Sequence, residues 1–263
     1  MISFPNAKIN LGLNVVTKRK DGFHDIESCF YPIPWRDALE ILESDAFSFY
    51  SYGLEIPGDP SGNLCVKAYE LLKADFHLPP VTIHLVKGIP MGAGLGGGSS
   101  DGAFTLKTLN ELFELNLEQA QLADYALQLG SDCPFFIYNE PMMARGRGEK
   151  LSPLEFNLKG YHVALYNPEI HISTKEAYSG IVPSEPKQTI ENVIRQPFTH
   201  WKDTLANDFE ASIFPNHPAI EKIKESMYEA GAQYASMTGS GSTVYGIFKN
   251  PVDQPEWKWL PFQ

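Results

Sequence analysis

The chain has 263 residues, of which 43% are hydrophobic and 12% are aromatic, so it can form one large domain or two smaller ones with a real core. Its formal net charge of −11 argues against a general nucleic-acid or anionic-membrane binder, since its lysines and arginines form no extended patch. No apolar run is long enough to predict a membrane span, and the first residues lack the pattern of a secretion signal.

The three cysteines, Cys29, Cys65 and Cys133, are too far apart for a CxxC metal site, and their number is odd. Reduced thiols in a cytoplasmic protein are the simplest interpretation. The sequence therefore predicts a cytoplasmic protein, and it offers no clear acidic metal site.

Residues 7–16 alternate between apolar and polar side chains, which predicts a β-strand with one core face and one polar face. Lys8, Asn10 and Asn14 share the polar face of this strand. A lysine beside two asparagines is unusual for a merely solvated edge. A ligand-facing role and a solvated face are about equally favoured by the pattern alone.

An Asp-Gly step at residues 21–22 predicts a turn, and Phe23 and His24 follow it directly. These two rings suit stacking on and hydrogen bonding to a planar ligand. They suit equally well a hairpin tip that packs on the core, so the turn alone does not choose between the two interpretations.

Strand and helix patterns then alternate along the chain without a strict βαβ repeat. Strands are predicted at 38–42, 46–52, 81–86, 135–137, 163–166 and 243–248, and helices from Asn63, at 103–113, at 117–129, from Thr174 with Ser173 as its cap, and at 218–230. Residues 183–203 are the least regular part. This order predicts an α+β fold rather than a doubly wound sheet.

The most informative stretch is residues 90–101, Pro-Met-Gly-Ala-Gly-Leu-Gly-Gly-Gly-Ser-Ser-Asp, which lies between a predicted strand and a predicted helix. Glycines let the backbone approach a ligand closely, and a helix N-terminus adds N–H groups and a positive dipole end. The stretch therefore predicts a cradle for nucleotide phosphates, with Ser99, Ser100 or Asp101 available to cap the helix.

Other phosphate-binding motifs fit this stretch less well. Residues 92–97 satisfy GxGxxG, but Glu111 and Glu114, at the distance of a ribose-binding acid, lie in a predicted helix instead of at a strand end. No lysine follows the glycines, so the Walker motif is absent, and the protein-kinase motifs are absent as well.

Three segments in chain order, residues 7–11, 90–100 and 237–241, resemble the three motifs of the GHMP small-molecule kinases, the superfamily of galactose, homoserine, mevalonate and phosphomevalonate kinases. The resemblance implies a two-domain α+β fold. Residues 1–153 would form the ATP-binding domain, of ribosomal-protein-S5-like type, and residues 154–263 a C-terminal ferredoxin-like α/β sandwich.

Residues 21–24, 130–136 and 207–210 narrow the resemblance to GHMP kinases of the non-mevalonate isoprenoid pathway. These members use ATP to phosphorylate the 2-hydroxyl of a cytidine-diphosphate-linked methylerythritol. The chain departs from them in two places: Phe23 stands where a tyrosine is usual, and Ser131 and Cys133 flank Asp132 where alanine and valine are common. Stacking by the Phe23 ring is retained, whereas any contact by a phenol is lost.

The resemblance also implies a set of site residues. Lys8 and Asp132 are the implied catalytic residues. The implied ATP-binding residues are Pro90, Met91, Gly92, Ala93, Gly94, Leu95, Gly96, Gly97, Gly98, Ser99, Ser100, Asn63 and Lys87. The implied substrate-binding residues are Asn10, Phe23, His24 and His171. Magnesium is expected with ATP, and the protein is expected to be a monomer or a weak homodimer with no nucleic-acid or membrane partner.

Three alternatives stay open. The chain could phosphorylate another alcohol, such as mevalonate or homoserine, or it could be a non-catalytic GHMP-fold ligand sensor. The presence of both Lys8 and Asp132 argues against a sensor. A dinucleotide-dependent oxidoreductase is the third alternative, and the failed GxGxxG context argues against it.

Overall fold

The computed structural model describes residues 1–262, which divide into two compact units. Unit 1 comprises Met1–Ala7, Trp35–Met91 and Gly96–Glu140. Unit 2 comprises Lys8–Pro34, Gly92–Leu95 and the described chain from Pro141 onward. Both units are discontinuous in sequence, because the chain leaves unit 1 for the long hairpin of unit 2 and then returns to it.

The strands, in chain order, are β1 (Ile2–Ser3), β2 (Asn6–Lys18), β3 (His24–Arg36), β4 (Ala38–Glu43), β5 (Ser48–Gly53), β6 (Val81–Lys87), β7 (Met142–Gly146), β8 (Lys150–Pro153), β9 (His162–Tyr166), β10 (Tyr234–Met237), β11 (Val244–Phe248) and β12 (Lys258–Pro261). The helices are α1 (Leu64–Phe76), α2 (Gly97–Leu112), α3 (Gln119–Leu129), α4 (Cys133–Tyr138), α5 (Thr174–Ser179), α6 (Ile190–Ile194), α7 (Phe198–Thr204), α8 (Asp208–Ile213) and α9 (Pro218–Glu229).

Unit 1 has one sheet, in the order β1-β4-β6-β5, and four helices. β4 and β6 are antiparallel with Ile41 opposite Ile83, whereas β5 runs parallel to β6. Helices α1, α3 and α4 pack against α2, and α2 packs against β4. Helix α2 is therefore held between a sheet and three other helices.

Unit 2 has two sheets, in the orders β2-β3-β7-β8 and β10-β11-β9-β12. Helix α9 packs on β10 and β11. Buried side chains such as Leu13, Phe209 and Phe248 form a hydrophobic core of unit 2. The mixture of antiparallel sheets and interspersed helices confirms the predicted α+β class. The two compact units divide the chain at other positions. The predicted domain boundary between residues 153 and 154 stays a prediction.

Most predicted elements are present, and two local predictions were wrong. Residues 135–137 belong to α4 instead of a strand, because Pro134 occupies the first turn and every residue of the apolar run is buried, which removes any periodicity. α2 begins at Gly97 with Gly96 as its cap, so Ser99, Ser100 and Asp101 lie inside the helix.

Some elements had no sequence prediction. β3, at His24–Arg36, was not predicted, and the irregular stretch 183–203 contains the two short helices α6 and α7. None of the helices within residues 1–262 combines the length and apolarity that a bilayer crossing requires.

Candidate functional site

The polar face of β2 is buried instead of solvated. Lys8 is 3% exposed and Asn10 is 1% exposed. Lys8 Nζ donates a hydrogen bond to Asn10 Oδ1 at 2.5 Å and lies 4.6 Å from the centroid of the Phe30 ring. Asn10 Nδ2 in turn donates to Ser28 Oγ at 2.8 Å. Because buried charges are costly unless polar partners surround them, the Asn10 amide oxygen and the Phe30 ring offset the burial of this ammonium and hold it in one orientation.

Thr238, in the turn after β10, joins all three GHMP-like segments within unit 2. Its Oγ1 accepts a hydrogen bond from Asn10 N at 3.1 Å. The same hydroxyl lies 3.2 Å from Asn10 Oδ1 and 3.1 Å from Gly94 O, to either of which it can donate its proton. Lys8 N donates to Leu95 O at 2.9 Å. The lysine strand, the middle of the glycine stretch and the third motif therefore meet at one side chain.

Sequence reasoning noted the third motif but did not select Thr238 as a site residue. Asn207 was missed in the same way: its Nδ2 donates to Met237 O at 2.7 Å and to Gly239 O at 2.9 Å, so it holds the turn that carries Thr238. Both residues lie in segments that carried the family resemblance, which was the signal that could have found them.

The backbone of the glycine stretch needs glycine at its middle. Gly92, Gly94 and Gly96 have φ of 62°, 77° and 70°. A Cβ on Gly94 would lie 2.0 Å from Thr238 O, which no side chain can accommodate. The close approach of these two backbones is what lets the Thr238 hydroxyl reach the loop.

α2 begins directly after this loop and presents an uncapped N-terminus. Gly96 offers no side-chain cap, and Ser100 N makes the first helical hydrogen bond, to Gly96 O at 2.9 Å. The N–H groups of Gly97, Gly98 and Ser99 belong to the first turn, which has no helical acceptors. Together with the positive dipole end, these N–H groups could bind an anion, and the predicted phosphate contact stays a prediction.

A cavity of about 320 Å³ lies in unit 1 at this helix start. Its walls are formed by Phe49, Ser51, Ile56, Pro57, Gly58, Asp59, Pro60, Gly62, Asn63, Leu64, Met91, Gly98 and Asp101. Asn63 both caps α1 and lines the cavity. Its Oδ1 accepts a hydrogen bond from Cys65 N at 2.8 Å. The mixture of apolar and polar walls suits a nucleobase.

Lys87 departs from its predicted contact with the nucleotide. Its side chain has no exposed surface, and Nζ forms ion pairs with Asp37 and, at 2.8 Å, with Asp101. Burial would lower the pKa of Lys87, but attraction to Asp101 and Asp37 outweighs it and raises that pKa. In this structure the ammonium serves the protein interior and has no surface left for a ligand.

Asp132 lies at the start of α4, in unit 1, and is partly exposed. Its carboxylate does not cap α4. The next residue, Cys133, is fully covered, and burial raises the pKa of its thiol to about 12, while the Ser99 side chain forms a hydrogen bond with it. Asp132 is thus held beside the first turn of α2, the part of the chain predicted to hold phosphates.

The residues predicted to bind a base are partly brought together in unit 2. The rings of His24 and Tyr178 stack with centroids 4.5 Å apart and planes 17° apart. Burial, followed by the charge of Lys18, lowers the pKa of His24, so its imidazole is neutral at pH 7. Phe23 is 54% exposed, and the Arg147 guanidinium lies 5.1 Å from its ring centroid.

His171 lies elsewhere in unit 2. Its imidazole is close to Gly92, 3.8 Å from where a Cβ would stand, and it is not the ring that stacks on His24. The ring that stacks on His24 is Tyr178, which the sequence did not single out. It lies in the helix that follows the capping box at Ser173, but nothing in the local pattern marked its ring as functional.

No group of three or more His, Cys, Asp or Glu side chains that could hold a metal ion occurs within residues 1–262.

Comparison with known proteins supports the interpretation of these motifs. Residues 63–140 match the family described as GHMP kinases N terminal domain, and residues 188–256 match the family described as GHMP kinases C terminal. A 4-diphosphocytidyl-2-C-methyl-D-erythritol kinase of Bacteroides thetaiotaomicron is 53% identical, over 98% of this chain and 96% of the relative. A kinase of the same description from Cytophaga hutchinsonii is 55% identical, over 94% of this chain and 92% of the relative.

A solved structure gives the same answer. The crystal structure of a 4-(cytidine 5'-diphospho)-2C-methyl-D-erythritol kinase is similar with a TM-score of 0.82 at 29% identity, over 94% of this chain and 90% of that chain. The expected GHMP kinase fold is thereby confirmed. The chain belongs to the GHMP kinase family and, within it, to the 4-diphosphocytidyl-2-C-methyl-D-erythritol kinases.

Proposed function

We propose that this kinase transfers the γ-phosphate of ATP to the 2-hydroxyl of 4-diphosphocytidyl-2-C-methyl-D-erythritol. The observation that carries the proposal is the buried cluster of Lys8, Asn10 and Thr238, which fixes an oriented ammonium against the middle of the glycine stretch. A protein that only needed a folded strand would gain nothing from burying this lysine.

ATP is the co-substrate of this family, and the structure supports a particular placement of its parts. The N–H groups at the start of α2 would bind the phosphates, and the unit 1 cavity, with Asn63 in its wall, would take the base. We propose that magnesium arrives bound to the nucleotide, because Mg²⁺ is commonly held through substrate phosphates.

Phosphoryl transfer depends mainly on positioning and on stabilising charge, because its transition state is loose. The proposal assigns Asp132 to orient the acceptor hydroxyl and take its proton, and Lys8 to stabilise the oxygen as negative charge develops on it. Asn10 orients the Lys8 ammonium through its amide oxygen. These roles are carried over from the resemblance, residue by residue.

We propose that Phe23, His24 and Tyr178 recognise the cytosine ring. A neutral imidazole can donate from one nitrogen and accept at the other, which suits the mixed donor and acceptor edge of cytosine. The stacking of His24 on Tyr178 supports this proposal, because both rings lie nearly parallel and close to each other. The predicted contribution of His171 to the opposite face of the base stays a prediction.

The remaining expectations are part of the same proposal. A small molecule is the partner, with no nucleic-acid or membrane surface, and the protein acts as a monomer or weak homodimer. The three cysteines are free and buried, which supports a cytoplasmic location.

The deciding experiment measures ADP release with MgATP and three acceptors in parallel: the cytidyl substrate, mevalonate and homoserine. We expect release with the cytidyl substrate alone. Release with mevalonate or homoserine instead would replace the proposed substrate. Binding of the cytidyl compound without any release would indicate a sensor.

Two variants test the assigned chemistry. Asp132→Asn keeps the shape of the side chain and Lys8→Met keeps its apolar stem, and each is expected to lower kcat by about 10²–10⁴-fold. Circular dichroism should show both folded. Near-normal turnover in a folded variant would remove that residue from the mechanism.

A further inference from the structure

The ion triad of Asp37, Lys87 and Asp101 lies at both ends of the glycine stretch. Lys87 is the last residue of β6, and Asp101 lies in the second turn of α2. The Asp37 Oδ1 atom accepts hydrogen bonds from Gly88 N at 2.6 Å and Ile89 N at 2.8 Å, directly before the stretch. One buried cluster thus holds the chain where it approaches the stretch and where it leaves it.

The Lys87 ammonium is placed against the first residue of α2. A Cβ on Gly97 would lie 2.8 Å from Lys87 Nζ, so only glycine leaves room for the ammonium at this position. A cation at a helix N-terminus is unfavourable, because the helix dipole is positive there. The two carboxylates offset this repulsion and allow the lysine to hold the helix start.

The triad is also unbalanced in charge. Its three side chains are at most 4% exposed, and two carboxylates face one ammonium. The Cys65 thiol of α1, whose own pKa burial raises, also lies near Asp101, and Thr105 Oγ1 donates to the backbone carbonyl oxygen of Asp101 at 2.8 Å. Burial, which outweighs the attraction of Lys87, raises the pKa of Asp101 to about 8.

We propose that Asp37, Lys87 and Asp101 are positioning residues that fix the start of α2 and set the charge behind the proposed phosphate site. This inference rests on the proposed function, because it assigns the α2 N-terminus to ATP. Their side chains are almost entirely buried, so we assign them no contact with the reacting atoms. They act through the backbone N–H groups of Gly97, Gly98 and Ser99.

The arrangement has a consequence for ATP binding. When Asp101 is protonated, the triad is neutral overall, and the helix N-terminus keeps its full attraction for phosphates. When Asp101 loses its proton, one unit of buried negative charge appears one turn into the same helix. Charges buried this close interact strongly, so ATP affinity falls as pH rises through about 8.

The test is the KM for ATP of wild type, Asp101→Asn and a control, Asp124→Asn, between about pH 7 and about pH 9. Asp124 is exposed on α3 in the same unit. In wild type and the control we expect KM to rise about tenfold, the change that one unit of pH above a controlling pKa allows, with kcat within about twofold. In Asp101→Asn we expect a flat KM. A triad with a purely structural role would not make the KM for ATP depend on pH in wild type and leave it constant in Asp101→Asn.

The outcomes are distinguishable from failure of the proposed function. A flat wild-type KM, or an Asp101→Asn profile that follows the control, overturns the inference, and the wild-type profile decides even if the variant does not fold. If no acceptor gives ADP release, the proposed function fails, and the same pH series measured as the Kd of MgATP by calorimetry still tests the triad.

Discussion

The middle and the end of the glycine stretch are held by two different kinds of interaction. In unit 2, neutral hydrogen bonds from Lys8 N and Thr238 fix the backbone of Gly92–Leu95. In unit 1, the ion triad of Asp37, Lys87 and Asp101 fixes the start of α2. The first kind is insensitive to pH, whereas the second depends on which carboxylates are charged.

The difference also separates two buried lysines that look alike in sequence. Lys8 is oriented by an amide oxygen and an aromatic ring, whereas Lys87 is held by the side chains of Asp37 and Asp101. A lysine bound by two carboxylates stabilises the fold around it. Its position near a phosphate-binding loop is therefore no sign that it contacts phosphate.

The largest expected effect comes from a substitution that disrupts the contact between Gly94 and Thr238 in the middle of the glycine stretch. Gly94→Ala puts a Cβ within 2.0 Å of Thr238 O at a φ of 77°. We expect a loss of at least about 3 kcal/mol in the free energy of unfolding, from backbone strain and overpacking together. Urea denaturation measures it.

Gly98→Ala is the matched control for stability. It lies four residues along the same stretch, inside α2, and an added Cβ meets nothing within 4 Å. We expect unchanged or slightly higher stability, because alanine favours a helix over glycine by up to about 1 kcal/mol. Equal losses in the two variants would show that the Thr238 contact does not matter.

The next effect concerns the ion triad of Asp37, Lys87 and Asp101 and the pH dependence of protein stability. A carboxyl whose pKa rises from 3.8 to about 8 on folding favours the folded state fully below about pH 4, and this contribution is lost as pH rises toward 8. Wild-type stability should therefore decline between about pH 5 and pH 7 more steeply than that of Asp101→Asn, by about 1.4 kcal/mol per pH unit.

Urea midpoints at several pH values check this slope, with Asp124→Asn as the control that keeps the wild-type slope. Parallel curves for wild type and Asp101→Asn would mean that Asp101 is ionised in the folded protein across this range. The ion triad would then be no more sensitive to pH in this range than the hydrogen bonds of Thr238.

A smaller effect sharpens the role of Thr238. Thr238→Val keeps the volume but removes the hydroxyl that serves Asn10 and Gly94. Leaving buried polar groups without partners costs about 1–3 kcal/mol, so we expect a loss of stability of that size and a higher KM for ATP. Thr238→Ser retains the hydroxyl and should behave nearly as wild type. A Val variant indistinguishable from Ser would contradict the assignment.

The smallest expected effect comes from Tyr178, which belongs neither to the ion triad nor to the hydrogen bonds of Thr238. Tyr178→Leu removes the ring that stacks on His24, whereas Tyr178→Phe retains it. Stacking on a base is worth about 1–3 kcal/mol, so we expect Tyr178→Leu to raise the KM for the cytidyl substrate about tenfold and to leave the KM for ATP unchanged. An equal rise in both KM values would point to a general disturbance of the fold.

Local patterns predicted many elements well. The helix after Asn63 and the helix capped by Ser173 begin where their caps indicate, because a cap acts over only a few residues. The helix α4 was not predicted, since a run of five buried residues carries no periodicity. β3 lacked a prediction, and its pairing with β7 joins residues far apart in the chain, such as Ile26 and Gly146.

The sequence by itself determined the family, the glycine stretch and the pairing of Lys8 with Asn10 on one strand face, because each of these is written in a short segment. Only the tertiary structure decided that Thr238 contacts Asn10, 228 positions away, and that Tyr178 stacks on His24. It likewise decided that Lys87 belongs to two carboxylates instead of a ligand. The physical reason is that burial and charge pairing depend on neighbours brought together by folding, and no local pattern records them.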